Sequence, residues 1–147
     1  MTTISLSDWG QSPGIMVGED EHRLLTATAL TDIEASAEHM DFLLYELDRA
    51  QIVQDALLPP DIVRIGSIVR YKPFPGEERT IRLVMPRDAE RSGSYLLSVT
   101  SVHGAALLGL RPGHMMTWLE PNGTTQRLKV LQVTNPPPGG DMGPSAA

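Results

Sequence analysis

Cysteine is missing from all 147 residues, which excludes a disulfide framework, a thiolate nucleophile and any cysteine-based zinc site. Long apolar runs are missing too: nothing approaches the roughly 20 residues that span a bilayer. The opening Met-Thr-Thr-Ile-Ser-Leu-Ser-Asp-Trp has neither the basic n-region nor the apolar h-region of a secretory signal. A cytoplasmic protein without membrane contact is expected. The phosphate-cradling pattern G-x-x-x-x-G-K-[ST], a strand-turn-helix with G-x-G-x-x-G and the G-x-S-x-G elbow are all absent, so nucleotide hydrolysis and serine-hydrolase chemistry lose their usual equipment.

What is present is a soluble globular composition, 41% hydrophobic and 20% charged, divided by a charge step. Residues 1–60 hold eleven acidic and two basic side chains, −9, and residues 61–147 hold seven acidic and ten basic, +3; together they give the net −6. Such a step suggests two units facing different surfaces, although helices tolerate Glu and Asp well in any case. Four segments are expected: a disordered extension over 1–12, a short acidic coiled-coil hairpin over 13–58, a β domain over 59–135 and a disordered Pro/Gly-rich tail over 136–147.

Glu19-Asp20-Glu21 places three acids where a helix N-terminus welcomes them, and Leu24, Leu25 and Thr28 follow at helical spacing, so a helix is expected over 19–30. Thr31-Asp32-Ile33-Glu34 reads as a capping box opening a second helix. Ile33, Ala37, Met40, Leu44 and Leu47 would form its seam, and Leu58-Pro59-Pro60 would end it. Beyond Pro60 the period becomes two. Strands are expected over 62–72, 80–85 and 95–100, with a final hairpin of 115–119 and 126–133 around Pro121-Asn122-Gly123. Ala105-Ala106-Leu107-Leu108, closed by Gly109, is the one helix expected among them. The plan is α+β: an antiparallel helical hairpin, then an antiparallel sheet carrying a short helix.

Candidate chemistry is thin. His22, His39, His103 and His114 are scattered, with no i, i+4 pair for a metal, and Ser101-Val102-His103 has no context that would make a nucleophile and base. No cofactor, metal or catalytic residue is expected. Glu34, Glu38, Asp41 and Glu46 line one side of the second helix, either as a solvated outer face or as a surface for a cation or basic partner. The basic residues of the second half, among them Arg64, Arg70, Lys72, Arg79, Arg82, Arg127 and Lys129, are interleaved with acids, which argues against direct sequence-specific nucleic-acid binding.

Ser101-Val102-His103-Gly104-Ala105-Ala106-Leu107-Leu108-Gly109 resembles the C-terminal signature of Gre-type transcription factors, S-P-[IV]-G-x-A-L-[LI]-G. Gly104 would permit a tight turn into a one-turn helix and Gly109 would stop it. Pro13-Gly14-Ile15-Met16-Val17, Glu46-Leu47-Asp48-Arg49-Ala50-Gln51 and Pro60-Asp61-Ile62-Val63 make the chain most similar, within that superfamily, to the family of regulators of nucleoside diphosphate kinase. Departures stand at Val102 for proline, His103 for Ile or Val, and His114 where Asp follows the glycine.

The resemblance implies an FKBP-like β domain behind a short coiled coil, no enzymatic activity, and RNA polymerase near its secondary channel as partner, in competition with Gre-type cleavage factors. It assigns Ser101, Val102, His103 and Gly104 to the contact loop. Asp32, Glu34 and Glu38 would lie at the hairpin tip. Two other functions stay open: an interaction module for another partner, recognised by the acidic hairpin, and a peptidyl-prolyl isomerase. For the latter the β part offers only Tyr71, Phe74, Tyr95 and Trp118 to line a pocket.

Overall fold

A computed structural model describes residues 13–31, 37–89, 95–120 and 123–135. Its elements in chain order are β1 (Met16–Gly18), α1 (Glu19–Thr31), α2 (Ala37–Arg49), β2 (Gln51–Val53), a 3-10 turn (Asp55–Leu57), β3 (Ile68–Phe74), β4 (Arg79–Val84), α3 (Pro86–Ala89), β5 (Leu96–Ser98), α4 (Val102–Leu107), β6 (Met115–Leu119) and β7 (Thr125–Thr134). The α+β plan holds. The five strands from β3 onward form one sheet in the order β5-β4-β3-β7-β6, while β1 and β2 form a separate parallel pair.

The sheet is mixed and not wholly antiparallel. β3 pairs antiparallel with β4 and β7, and β6 with β7, but β5 runs parallel to β4. The helical turn Pro86–Ala89, a second helix among the strands, lies in the connection between β4 and β5. A parallel neighbour requires such a crossover, since a tight hairpin reverses direction. The expected strand over 62–72 also shortens. Ile62 and Val63 are both buried, which a strand with one face in solvent would not allow, and regular pairing starts at Ile68 after the Gly66 turn (φ +94°).

Helix α1 follows its sequence signals: the acids occupy its first turn, and Leu25 and Ala29 are buried on one side. Its leading amide is capped from a distance, by Asp20 N–H donating to Asp55 Oδ1 at 2.8 Å. Thr31 is the last residue of the first helix, and its hydroxyl donates to the Ala27 carbonyl at 2.8 Å. Asp32, Ile33 and Glu34 lie outside the described residues, as do both chain ends.

Helix α2 ends at Arg49, well before the two prolines. The β-branched Ile52 and Val53 are poor helix formers. They find a better use beside β1, in the register Met16↔Gln51, Val17↔Ile52 and Gly18↔Val53, with Gln51 N–H donating to Ile15 O at 2.9 Å. The buried seam of α2 is Met40, Leu43 and Leu47, and Leu44 is only partly covered.

Helices and sheet share one core. Leu25, Ala29, Met40, Leu43 and Leu47 belong to the same buried cluster as Val69, Tyr71, Leu83, Leu107, Leu128 and Val130. Ile15 is the joint. Gly109, at φ +80°, lies so close that a Cβ there would stand 2.6 Å from the Ile15 Cβ, and Met16 N–H donates to Gly109 O at 3.4 Å. The same glycine therefore stops α4, as its sequence position suggests, and seats the N-terminal strand.

Candidate functional site

The signature residues fold into α4 and its cap. Ser101 has extended backbone (φ −74°, ψ 162°), its hydroxyl accepts from Gly104 N–H at 3.0 Å, and that hydroxyl donates to the Ser98 carbonyl at 2.6 Å. This is N-capping of the usual kind, with the hydroxyl occupied in both directions. Gly104 is inside the helix and buried, and it does not serve the tight turn expected of it. It has no positive φ. What it provides is proximity: a Cβ would meet the Ser98 carbonyl oxygen at 2.1 Å, so only glycine lets α4 sit this close to the end of β5. Of the four contact residues read from the sequence, Val102 and His103 are half-buried on the first turn, while Ser101 and Gly104 hold that turn in place.

His103 is the chemically loaded member. Its Nδ1 is 2.9 Å from the Tyr71 hydroxyl, which receives an N–H from Arg79 Nη1 at 3.1 Å. Since the guanidinium can only donate, the phenol accepts from Arg79 and is free to donate to the imidazole. When the phenol donates in this way, the His103 proton is on Nε2. The ring also meets Tyr71 and Trp118 edge-on, at 5.7 and 5.8 Å between centres, and Phe42 of α2 lies 6.0 Å from Trp118. Trp118 Nε1 donates to Glu120 Oε2 at 2.8 Å.

Burial, reinforced by the Arg79 charge and opposed by Glu120, holds the His103 pKa below the ordinary 6.5. Burial likewise raises the Tyr71 phenol, with Arg79 opposing it. Between the ordinary and the depressed value, the unfolded chain binds more protons at His103 than the folded one. Stability from this group is therefore complete above 6.5 and is lost as pH falls through the folded pKa. An Arg79→Gln variant is expected to move the His103 titration upward, as read from imidazole proton shifts by NMR. A midpoint that stays where it was would assign the whole depression to burial.

His114 accepts the Arg111 amide at Nδ1, 3.2 Å away, closing the turn before β6. Arg111 also forks onto Asp61, at 3.1 and 3.3 Å. Among the described residues no group of three His, Asp or Glu could hold a metal. Glu38 is in the first turn of α2, and Asp41 is exposed. Glu46 is not part of a solvated acidic face: it is 1% exposed and paired with Arg49. Sequence reasoning found the signature helix by its motif but missed the Arg79–Tyr71–His103 chain, whose members come together only through strand register.

A short capped helix is seated by a glycine against a five-stranded mixed sheet, with two helices preceding it in the same core. Residues 58–135 match the family model described as transcription elongation factor, GreA/GreB, C-terminal. The chain belongs to the GreA/GreB family. It is 40% identical over 98 residues to the regulator of nucleoside diphosphate kinase of Escherichia coli strain K12, covering 66% of this chain and 71% of that one. The protein of the same name from Shigella flexneri gives the same figures. Among solved structures, a prokaryotic transcription elongation factor GreA/GreB from Nitrosomonas europaea superposes with a TM-score of 0.63 at 31% identity, over 84% of this chain and 99% of the other. Within its family the chain is thus a relative of the regulators of nucleoside diphosphate kinase.

Proposed function

We propose that this protein is a non-enzymatic transcription regulator that binds RNA polymerase near its secondary channel and competes there with Gre-type cleavage factors. In this reading residues 59–135 act as an FKBP-like docking unit and 13–58 as a short coiled coil. The observation that carries the proposal is that the family signature forms one capped helix turn with Val102 and His103 at its partly open end, braced from beneath by Tyr71, Arg79 and Trp118. A docking surface needs side chains held in place before the partner arrives, and this one is held.

The helices argue for occupancy without catalysis. α1 and α2 have 13 residues each, a reach of about 20 Å at 1.5 Å per residue, which is short for delivering an acid to a distant active centre. Asp32, Glu34 and Glu38 are accordingly read as non-catalytic. The test is binding to purified core polymerase, then addition to a backtracked elongation complex with labelled RNA. Expected are binding, displacement by a Gre-type factor, and no added RNA cleavage. Val102→Ala with His103→Ala should weaken binding about tenfold, the size of a modest hot spot. Absence of binding to the polymerase would defeat the proposal, and cleavage by the protein alone would overturn its non-enzymatic part.

A further inference from the structure

The outward face of the five-stranded sheet gathers charge of one sign. None of its strands carries an aspartate or glutamate. Along β3, Val69, Tyr71 and Pro73 point into the core, and alternation sends Ile68, Arg70, Lys72 and Phe74 the other way. Register carries the same side across the sheet: Lys129 opposes Lys72, Arg127 opposes Phe74, Arg82 opposes Ile68, and Met115 opposes Lys129. Arg70, Lys72, Arg82, Arg127 and Lys129 therefore share one surface. Cations that alternate with acids in the sequence are segregated by folding, because Glu77 and Glu78 lie in the β3–β4 turn, Asp88 in α3 and Glu120 past the end of β6.

Little neutralises this surface. Among the described residues its one ion pair is Arg70 with Glu78, 3.7 Å apart with both side chains about half exposed. The Lys72 ammonium donates to Gly76 O at 2.6 Å and sits 4.9 Å from the Phe74 ring centre. Lys72 and Lys129 face each other directly across two strands, an arrangement that weakens a sheet unless an anion lies over it. The fold gains nothing from the pair.

We propose that this face binds the sugar-phosphate backbone of single-stranded RNA. Successive outward residues on a strand are about 6.6 Å apart and neighbouring strands about 4.8 Å, a lattice on the scale of phosphates along an extended chain. Exposed Phe74 stands among the cations, as aromatic platforms do in sites that hold single strands without reading sequence, and Met115 and Ile68 add apolar surface beside it. That apolar interleaving favours RNA over an acidic protein surface, which would need only the charges. The site is on the opposite side of β3 from Tyr71 and so is independent of the His103 surface assigned to the polymerase.

The test uses the full chain and a short labelled single-stranded RNA of mixed sequence, with fluorescence anisotropy read between about 50 and 200 mM salt. Each phosphate contact contributes about −0.7 to the slope of log K against log salt, so Arg127→Gln with Lys129→Gln should flatten the slope by about 1.4 and weaken binding about tenfold. Phe74→Ala should weaken binding with the slope unchanged. Arg23→Gln, in the acidic helix, should change neither. Thermal melting confirms that these surface variants remain folded. Binding that is absent at the lowest salt, or identical in the double variant, would overturn the proposal. So would competition by polyglutamate equal to that by RNA at matched charge, which would make the face a site for acidic protein. None of these outcomes bears on polymerase binding, which is measured separately.

Discussion

Gly104→Ala is expected to destabilise the protein by about 3 kcal/mol, the upper part of the range for overpacking a close-fitting core. Its sign is informative, because two effects oppose each other at a helical glycine. Alanine is the better helix former by about 1 kcal/mol, so helix propensity alone would make the variant more stable. The contact decides otherwise. A Cβ at this position would stand 2.1 Å from the Ser98 carbonyl oxygen and 2.9 Å from the Ser98 carbonyl carbon and Val99 Cα, all backbone atoms that no rotamer change can move aside. The helix cannot simply retreat, since Ala105, Ala106 and Leu107 are completely buried behind it. Urea unfolding should show a lower midpoint with an unchanged m-value. A variant as stable as the parent would mean that α4 is seated less tightly than these distances state.

The second large effect is expected at the junction between α2 and the sheet. Glu46 is 1% exposed, and Arg49 donates to its Oε1 from Nη2 at 2.8 Å and from Nε at 3.2 Å, while Oε2 has no partner among the described residues. Arg49 reaches further, to Pro13 O at 2.7 Å and Met116 Sδ at 3.8 Å, joining the chain before β1 to α2 and β6. Removing one member of a buried pair leaves an uncompensated charge, which costs about 3–5 kcal/mol. Arg49→Met should show that loss at neutral pH. The double variant Arg49→Met with Glu46→Leu should recover most of it, because replacing both members of a buried pair by apolar residues of similar volume is often nearly neutral.

The pH dependence of the same pair has a definite sign. Burial raises the Glu46 pKa above 4.5, with Arg49 working against the shift, so between 4.5 and the folded value the folded chain binds more protons than the unfolded one. Stability from this group therefore decreases as pH rises through that window and is flat above it. Deleting Arg49 removes the opposing influence and widens the window. Acidifying from neutral toward pH 4.5 should then narrow the gap between Arg49→Met and the parent, followed by urea midpoints. A gap that grows on acidification would contradict the burial of Glu46.

Where the sequence was legible, the cause lay within a few residues of its effect. Three acids marked the start of α1, Gly109 marked the stop of α4, and Gly123 marked the turn between β6 and β7. What could not be read depended on partners far along the chain. The end of α2 at Arg49 is decided by Met16–Gly18, which the chain laid down before either helix. The cap of α1 is Asp55, 35 residues beyond the amide it accepts. Glu46 occupies the polar side of a helical wheel and is nevertheless covered, because Pro13, Arg49 and Met116 close over that side. At the candidate site the motif identified Ser101 to Gly104, but only register brings Tyr71, Arg79 and Trp118 to His103.

The pairing of β1 with β2 has one further consequence. Helix α1 leaves from Gly18 and the chain returns after Arg49 at Gln51, so the helical excursion departs from and lands on two adjoining strands fixed to the base by Ile15 and Gly109. Such a mount fixes where both helices start and end on the base. A heptad added to each helix would extend the arm by about 10.5 Å while keeping its packing phase, and nothing in the sheet below would need to change. On the proposed coiled-coil reading, the length of the helix pair is then an adjustable property of the scaffold, and 13 residues in each helix is one setting of it.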